Sequence, residues 1–175
     1  MRRPRAVVTT TTMVTVALML LLGNGTASVS VAAELTGAPA PDFVLKSLSG
    51  QNMRLSELRG EVVLLSFWAT WCGECRAQLA ELGAWYGRYH GAGFELLAIS
   101  LDRDWSDIGE TAEALSLPYP VLADADLTVS RLYEVTSMPV SILIDRDGVV
   151  REVIHGFRRG RGQSDLDLVR ELLRE

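Results

Sequence analysis

Two cysteines and two histidines are all that the 175 residues contain. A structural zinc site takes four ligands, and an iron–sulfur cluster is usually held by four cysteines. His90 and His155 do not stand at knuckle spacing from Cys72 and Cys75, so no metal or cofactor is expected. Basic residues are also short: 17 Lys and Arg against 22 Asp and Glu leave a net charge of −5. That balance opposes a nucleic-acid partner, because phosphate binding needs a basic surface. The arginines at 151, 158, 159 and 161 form a local cluster that reads as a solvated loop. Internal repeats and long low-complexity segments are lacking after the first 33 residues. Long apolar runs are lacking too: the densest, Met13 to Leu22, is half of the roughly 20 residues a membrane span needs.

What is present is a globular composition, 48% hydrophobic and 22% charged, long enough for one domain. The first 33 residues stand apart. Arg2, Arg3 and Arg5 make a positive start, the Met13–Leu22 run follows, and small and polar residues extend from Gly23 to Ala33. This is the layout of a secretory signal. Val31 and Ala33 suit the −3 and −1 positions of a cleavage site, with Ala27 the weaker option. Counting in Ala6 to Thr15 lengthens the run enough that an uncleaved membrane anchor stays open. No cysteine lies near the segment, so a lipid anchor is excluded, and the arginine pair lacks the rest of a twin-arginine signal. Cleavage removes three arginines and no acid, taking the charge to −8.

An exported chain with two cysteines usually joins them as a structural staple. Here only two residues separate them, and closing so small a loop removes little chain entropy. Chemistry is the better reason for this pair.

Residues 34–41, with Gly37, Pro39 and Pro41, read as an extended lead-in, and 42–175 as the domain. Asp42–Leu48 and Asn52–Leu55 flank a Ser-Gly-Gln turn and predict a β-hairpin, followed by a short helical turn over Ser56–Leu58. Glu61–Ala69 (EVVLLSFWA) and Phe94–Leu101 (FELLAISL) are near-continuous apolar runs, as in strands buried on both faces. Helices are predicted over Cys75–Tyr89, Asp107–Leu115, Leu127–Tyr133 and Asp165–Arg174, the first with Leu79, Leu82, Trp85, Tyr86 and Tyr89 at helical spacing. Tyr119–Leu122 is a short strand. Val140–Asp145 and Val149–Ile154 flank Asp147-Gly148, a hairpin turn. The order implies an α/β layer fold: a central mixed sheet flanked by helices, with an N-terminal β-hairpin extension.

Trp71-Cys72-Gly73-Glu74-Cys75 falls where the first buried strand gives way to the first helix. A sulfur at a helix N-terminus meets unpaired N–H groups and the positive end of the dipole. Both favour thiolate over thiol, and the thiolate is the nucleophile of disulfide exchange. Cys72 is therefore the expected attacking thiol and Cys75, one turn on, the resolving thiol. Glu74 opposes the thiolate electrostatically and is expected to make the pair more reducing. Met138-Pro139 immediately precedes the VSILID strand. A cis bond there would set backbone polar groups beside the sulfurs, ready for an extended substrate; a proline merely tolerated at a strand's first residue is the alternative.

FWATWCGEC (Phe67–Cys75), SMPV (Ser137–Val140) and IDRDGVV (Ile144–Val150) together resemble the thioredoxin superfamily. The lead-in APAPDFVLKSLSGQNMRLSELRG and the export signal look like its TlpA/ResA branch of periplasmic thiol–disulfide oxidoreductases, whose domain is AhpC/TSA-redoxin-like. The resemblance implies a thioredoxin fold, a cis Pro139, a redox-active Cys72–Cys75 disulfide with no cofactor, and protein disulfides or thiols as substrates. It also implies a membrane electron donor of the DsbD/CcdA type and, for many relatives, a role in reducing the haem-binding cysteines of apocytochrome c. Two departures stand out. Thioredoxins carry a buried Asp where this chain has Ser66, and the ResA-like branch often has a Glu where it has Gln78. Neither residue can take a proton from the resolving thiol at neutral pH, which leaves Glu74, water or the substrate's own groups. The branch also often has a helix-kinking Pro near Ala80.

Two rival functions differ in kind. A peroxiredoxin-like peroxidase needs a Pro and a Thr or Ser ahead of its cysteine, where Phe67 and Ala69 stand. A copper-handling module could use two thiolates and His155, although such modules usually space their cysteines by three residues.

Overall fold

The computed structural model describes residues 35–157 and 162–175. The export segment and Arg158, Arg159 and Arg161 lie outside these residues. Five strands form the main sheet in the order β5-β4-β3-β6-β7. They are β3 (Val62–Trp68), β4 (Phe94–Ser100), β5 (Val121–Ala123), β6 (Val140–Ile144) and β7 (Val150–His155). β3 runs parallel to β4 and antiparallel to β6, β4 is parallel to β5, and β6 is antiparallel to β7. The mixed sheet flanked by helices is therefore as the sequence predicts. A separate hairpin of β1 (Val44–Lys46) and β2 (Asn52–Arg54) precedes it. The lead-in is not free: Gly37 and Ala38 exchange main-chain hydrogen bonds with Val150, and Ala40 N–H donates to Gly148.

All seven residues of β3 and all seven of β4 are buried, because layers cover both faces of the sheet. Alternation along β3 sends Val62, Leu64 and Trp68 to one face and Val63, Leu65 and Phe67 to the other. The first face packs on α1 (Gly73–Tyr89), α2 (Trp105–Ala114) and α4 (Gly162–Leu172), through Leu79, Leu82, Trp85, Ile108, Val169 and Leu172. The second packs on α3 (Thr128–Leu132) and the hairpin side, through Val129, Tyr133, Phe43 and Leu55. Ser66 falls on the α1 face by the same alternation.

Element ends differ from the sequence reading where side chains cap them. α1 begins at Gly73, two residues before the predicted Cys75, because Cys72 itself is the N-cap and its sulfur accepts from Cys75 N–H. α2 begins at Trp105 rather than Asp107, because the Asp104 carboxylate accepts from Ser106 N–H. Leu127 has a left-handed backbone (φ 55°) and stands outside α3. Arg151 is not in a solvated loop: it lies on β7 and bonds Asp145 at 3.2 Å and Glu175 at 3.3 Å.

Asp124 holds the start of α3. Its carboxylate is 1% exposed and accepts from the main-chain N–H groups of Thr128, Val129 and Ser130 at 2.8, 3.1 and 2.7 Å. Asp124→Ala leaves those donors without their acceptor, an expected loss of about 2–3 kcal/mol in urea unfolding. Asp124→Asn, which keeps one acceptor oxygen, is expected to lose less.

Candidate active site

β3 ends at Trp68 and α1 starts at Gly73, so residues 69–72 form the bridge between a buried strand and a helix end. Cys72 has an extended backbone (φ −87°, ψ 103°) and sits as the N-cap. Its Sγ accepts from Cys75 N–H at 3.2 Å. The two sulfurs are bonded to each other at 2.05 Å, with the Cα atoms 5.3 Å apart. Cys72 is 9% exposed and Cys75 is 0% exposed, so Cys72 is the more accessible of the two. Trp71 beside it is 73% exposed, and Glu74 is exposed in the first turn of α1.

The other side of the pair is apolar and closed. Cys72 and Cys75 share a buried cluster with Trp68, Leu79 and Leu82, against which Met138 packs. Trp68 is fully buried, and its indole N–H has no hydrogen-bond partner among the described residues. The Met138–Pro139 bond is cis. Val140 pairs with Phe67 across β6 and β3, which places Pro139 at the same end of the sheet as the cysteines. The Pro139 carbonyl accepts from Gly156 N–H at 2.8 Å.

One turn below Cys75 on the same helix, Gln78 is buried at 6% exposure. Ser66 Oγ donates to its Oε1 at 3.4 Å, and its Nε2 donates to Ser141 Oγ at 3.3 Å. Ser66 and Ser141 lie opposite each other on β3 and β6. Ser66, Gln78 and Ser141 are thus joined into one neutral, buried polar group that ties α1 to two strands. Gln78 also borders a cleft of about 260 Å³ lined by Glu81, Trp85, His155 and Phe157. α1 continues without interruption past Ala80.

Sequence reasoning missed Asp102. It stands just after β4 and accepts from Thr70 N–H at 2.7 Å and Thr70 Oγ at 3.0 Å. Adjacent ends of parallel strands bring it there, and no short-range pattern reveals that. His155 is exposed at the end of β7, paired with Val140. His90 lies near the far end of α1, stacked on Tyr86 with ring centroids 4.5 Å apart.

This arrangement supports exchange between a dithiol and a disulfide, and the chain's relatives carry that chemistry in their names. Residues 36–153 match the AhpC/TSA family. The chain is 37% identical over 120 residues to the thiol–disulfide oxidoreductase ResA of Geobacillus kaustophilus, covering 69% of each chain. It is 31% identical to ResA of Bacillus subtilis, covering 69% of this chain and 67% of that one. Among solved structures it is similar to a candidate DsbE-type thiol:disulfide interchange protein from Chlorobium tepidum, with a TM-score of 0.73 and 34% identity. That match covers 79% of this chain and 97% of the other. A helix-capping cysteine pair on a thioredoxin fold, with ResA relatives along most of the chain, makes this protein a member of the AhpC/TSA family and a ResA-like thiol–disulfide oxidoreductase.

Proposed function

We propose that the protein is an exported reductant of protein disulfides, with Cys72 attacking and Cys75 resolving. The carrying observation is the asymmetry of the pair: Cys72 caps α1 and is 9% exposed, whereas Cys75 is fully enclosed. In the reduced form the Cys72 thiolate attacks one sulfur of the substrate disulfide. The substrate S–S bond breaks, its second sulfur leaves as a thiolate that takes up a proton, and a mixed disulfide forms. Deprotonated Cys75 then attacks Cys72 Sγ, which releases the first substrate sulfur as a thiolate. The Cys72–Cys75 bond closes, two electrons have passed to the substrate, and the second substrate thiolate, like the first, takes its proton from water.

The rest of the site has supporting roles in this reading. The main chain just ahead of the cis Met138–Pro139 bond is the part that pairs with an extended substrate, since the Pro139 carbonyl is held by Gly156 and Val140 is paired on both sides. Trp71 provides an exposed apolar contact next to the attacking sulfur, and Glu74 disfavours the thiolate and so lowers the potential of the pair. Residues 1–33 direct export, either as a cleaved signal or as an anchor. The resemblance to relatives supplies the finer picture: a DsbD/CcdA-type membrane donor re-reduces the pair, and the haem-binding cysteines of apocytochrome c are one substrate. The test is reduction of a peptide carrying an oxidised Cys-x-x-Cys-His segment, set against oxidation of a reduced polypeptide. Faster reduction supports the proposal, and faster oxidation contradicts it.

Among the described residues the buried polar group below Cys75 is Ser66, Gln78 and Ser141, none of them a carboxylate. Gln78 borders an open cleft, so water is the acceptor of the Cys75 proton in this account. Gln78→Glu places a carboxyl between two serine hydroxyls in a buried site, where desolvation raises its pKa. Above that pKa the variant gains a base. The pH profile of mixed-disulfide resolution is expected to acquire a second inflection, with a rise of about 10-fold or more on its alkaline side. Stopped-flow measurement between pH 5 and 9 checks this, and an unchanged profile counts against the role given to water.

A further inference from the structure

Thr70 stands two residues before Cys72, in the bridge between β3 and α1. Each of its main-chain and side-chain polar groups is held. Its N–H and hydroxyl donate to Asp102, at 2.7 and 3.0 Å. Its carbonyl accepts from Arg76 Nη2 at 2.9 Å. Asp102 is itself oriented: Ser100 Oγ donates to its Oδ2 at 2.9 Å and accepts its N–H at 3.2 Å. Ser100 is fully buried at the end of β4, and Leu101 N–H donates to the Trp68 carbonyl at 2.9 Å. The chain of bonds therefore runs from the rigid ends of two parallel strands, through one carboxylate, to the turn that presents the sulfur.

That turn decides where Cys72 Sγ lies. Stabilisation of a thiolate by a helix end depends on alignment of the sulfur with the first N–H groups. Cys72 N–H donates to Ala69 within the same turn, and the side-chain bonds that tie this turn to the end of β4 run through Thr70. We propose that Asp102 is a positioning residue for the attacking thiol: through Thr70 it fixes the turn that keeps Cys72 Sγ on the end of α1. Its role is geometric, and it does not exchange a proton with substrate. The inference rests on Cys72 being the attacking thiol.

The sign of the effect separates geometry from charge. Asp102→Ala removes both the acceptor and the negative charge, whereas Asp102→Asn removes the charge and keeps an acceptor oxygen. If positioning dominates, the alanine variant has a raised Cys72 pKa and an alkylation rate at neutral pH about 10-fold lower. The asparagine variant stays within about 3-fold of the unsubstituted protein. If Asp102 acts through its charge, both variants lower the pKa equally, and the proposal is overturned.

The experiment is the pH dependence of iodoacetamide alkylation of the reduced full chain, with the alkylated residue identified by mass spectrometry. Thr70→Val removes the hydroxyl bond alone. It is expected to show the same direction at about 3-fold and to be restored by Thr70→Ser, which keeps the inference testable if Asp102→Ala does not fold. Asp104→Ala serves as the control, since it removes the cap of α2 and leaves in place the three bonds that hold Thr70. It is expected to lower Tm and leave the Cys72 pKa in place. Unchanged Cys72 reactivity in Asp102→Ala and Thr70→Val overturns the inference while leaving the function standing. Preferential alkylation of Cys75 in the unsubstituted protein removes the reading on which it rests, and the inference falls with it.

Discussion

Cys72→Ser is expected to lower the rate of protein-disulfide reduction by at least about 10³-fold, and Cys75→Ser to leave the first attack running and stop the reaction at a mixed disulfide. The expectation follows from position. Cys72 is the less buried of the pair, 9% exposed against 0% for Cys75, and its backbone makes it the cap of α1. A serine hydroxyl there can still accept from Cys75 N–H, so the helix start survives the change while the nucleophile does not. Cys75 is fully buried and can meet a substrate sulfur only after Cys72 has carried it in. Insulin reduction followed by turbidity measures the loss. Intact-mass analysis of the Cys75→Ser protein, incubated with the oxidised Cys-x-x-Cys-His peptide, detects the trapped adduct at Cys72. A Cys72→Ser protein that reduces disulfides within about 10-fold of the parent would reverse the assignment of the two roles.

Phe67→Ala is expected to cost about 3–5 kcal/mol of stability, a large part of the roughly 5–15 kcal/mol that holds a typical domain together. Phe67 is fully buried on β3, the central strand, opposite Ile99 on one side and Val140 on the other. Its ring lies 5.9 Å from that of Tyr133, which in turn meets Phe43 edge-on at 6.1 Å. The Tyr133 hydroxyl donates to the Pro41 carbonyl at 2.6 Å. Truncation therefore opens a cavity where α3, the lead-in and the sheet converge, and the rigid strands on either side of Phe67 cannot close it. Urea unfolding of the oxidised variant measures the cost. A loss below about 1 kcal/mol would mean that this face of the sheet is more loosely packed than described.

Much of this architecture is legible in the chain because it rests on local pattern. The runs at Val62–Trp68 and Phe94–Ser100 are apolar on both faces, which only doubly covered strands need. The Asp147-Gly148 turn joins β6 to β7 as its residue types suggest. The cysteine pair announces its chemistry through spacing and its place between a strand and a helix. What the pattern hides is long-range. Asp102 and Thr70 are 32 positions apart, and Ser141 lies 63 positions from Gln78. Neither pairing has a periodicity to read. Helix starts slipped by two residues at α1 and α2 because the caps, Cys72 and Asp104, act through side-chain atoms that apolar periodicity does not register. Ser66 and Gln78 are visible in sequence only as departures from relatives. The fold adds that they bond to each other and, through Ser141, close a neutral network one turn below Cys75.

The direction of electron flow is the centre of the account, and the reduction potential of the Cys72–Cys75 pair tests it most directly. The oxidised protein would be equilibrated with graded ratios of reduced and oxidised dithiothreitol or glutathione, and the dithiol fraction read by alkylation and mass spectrometry. A potential of about −250 mV or lower is expected, in the range of reducing thioredoxin-type pairs. A value near −120 mV, that of a strong disulfide donor, would contradict that expectation and make this protein an oxidant of exported thiols.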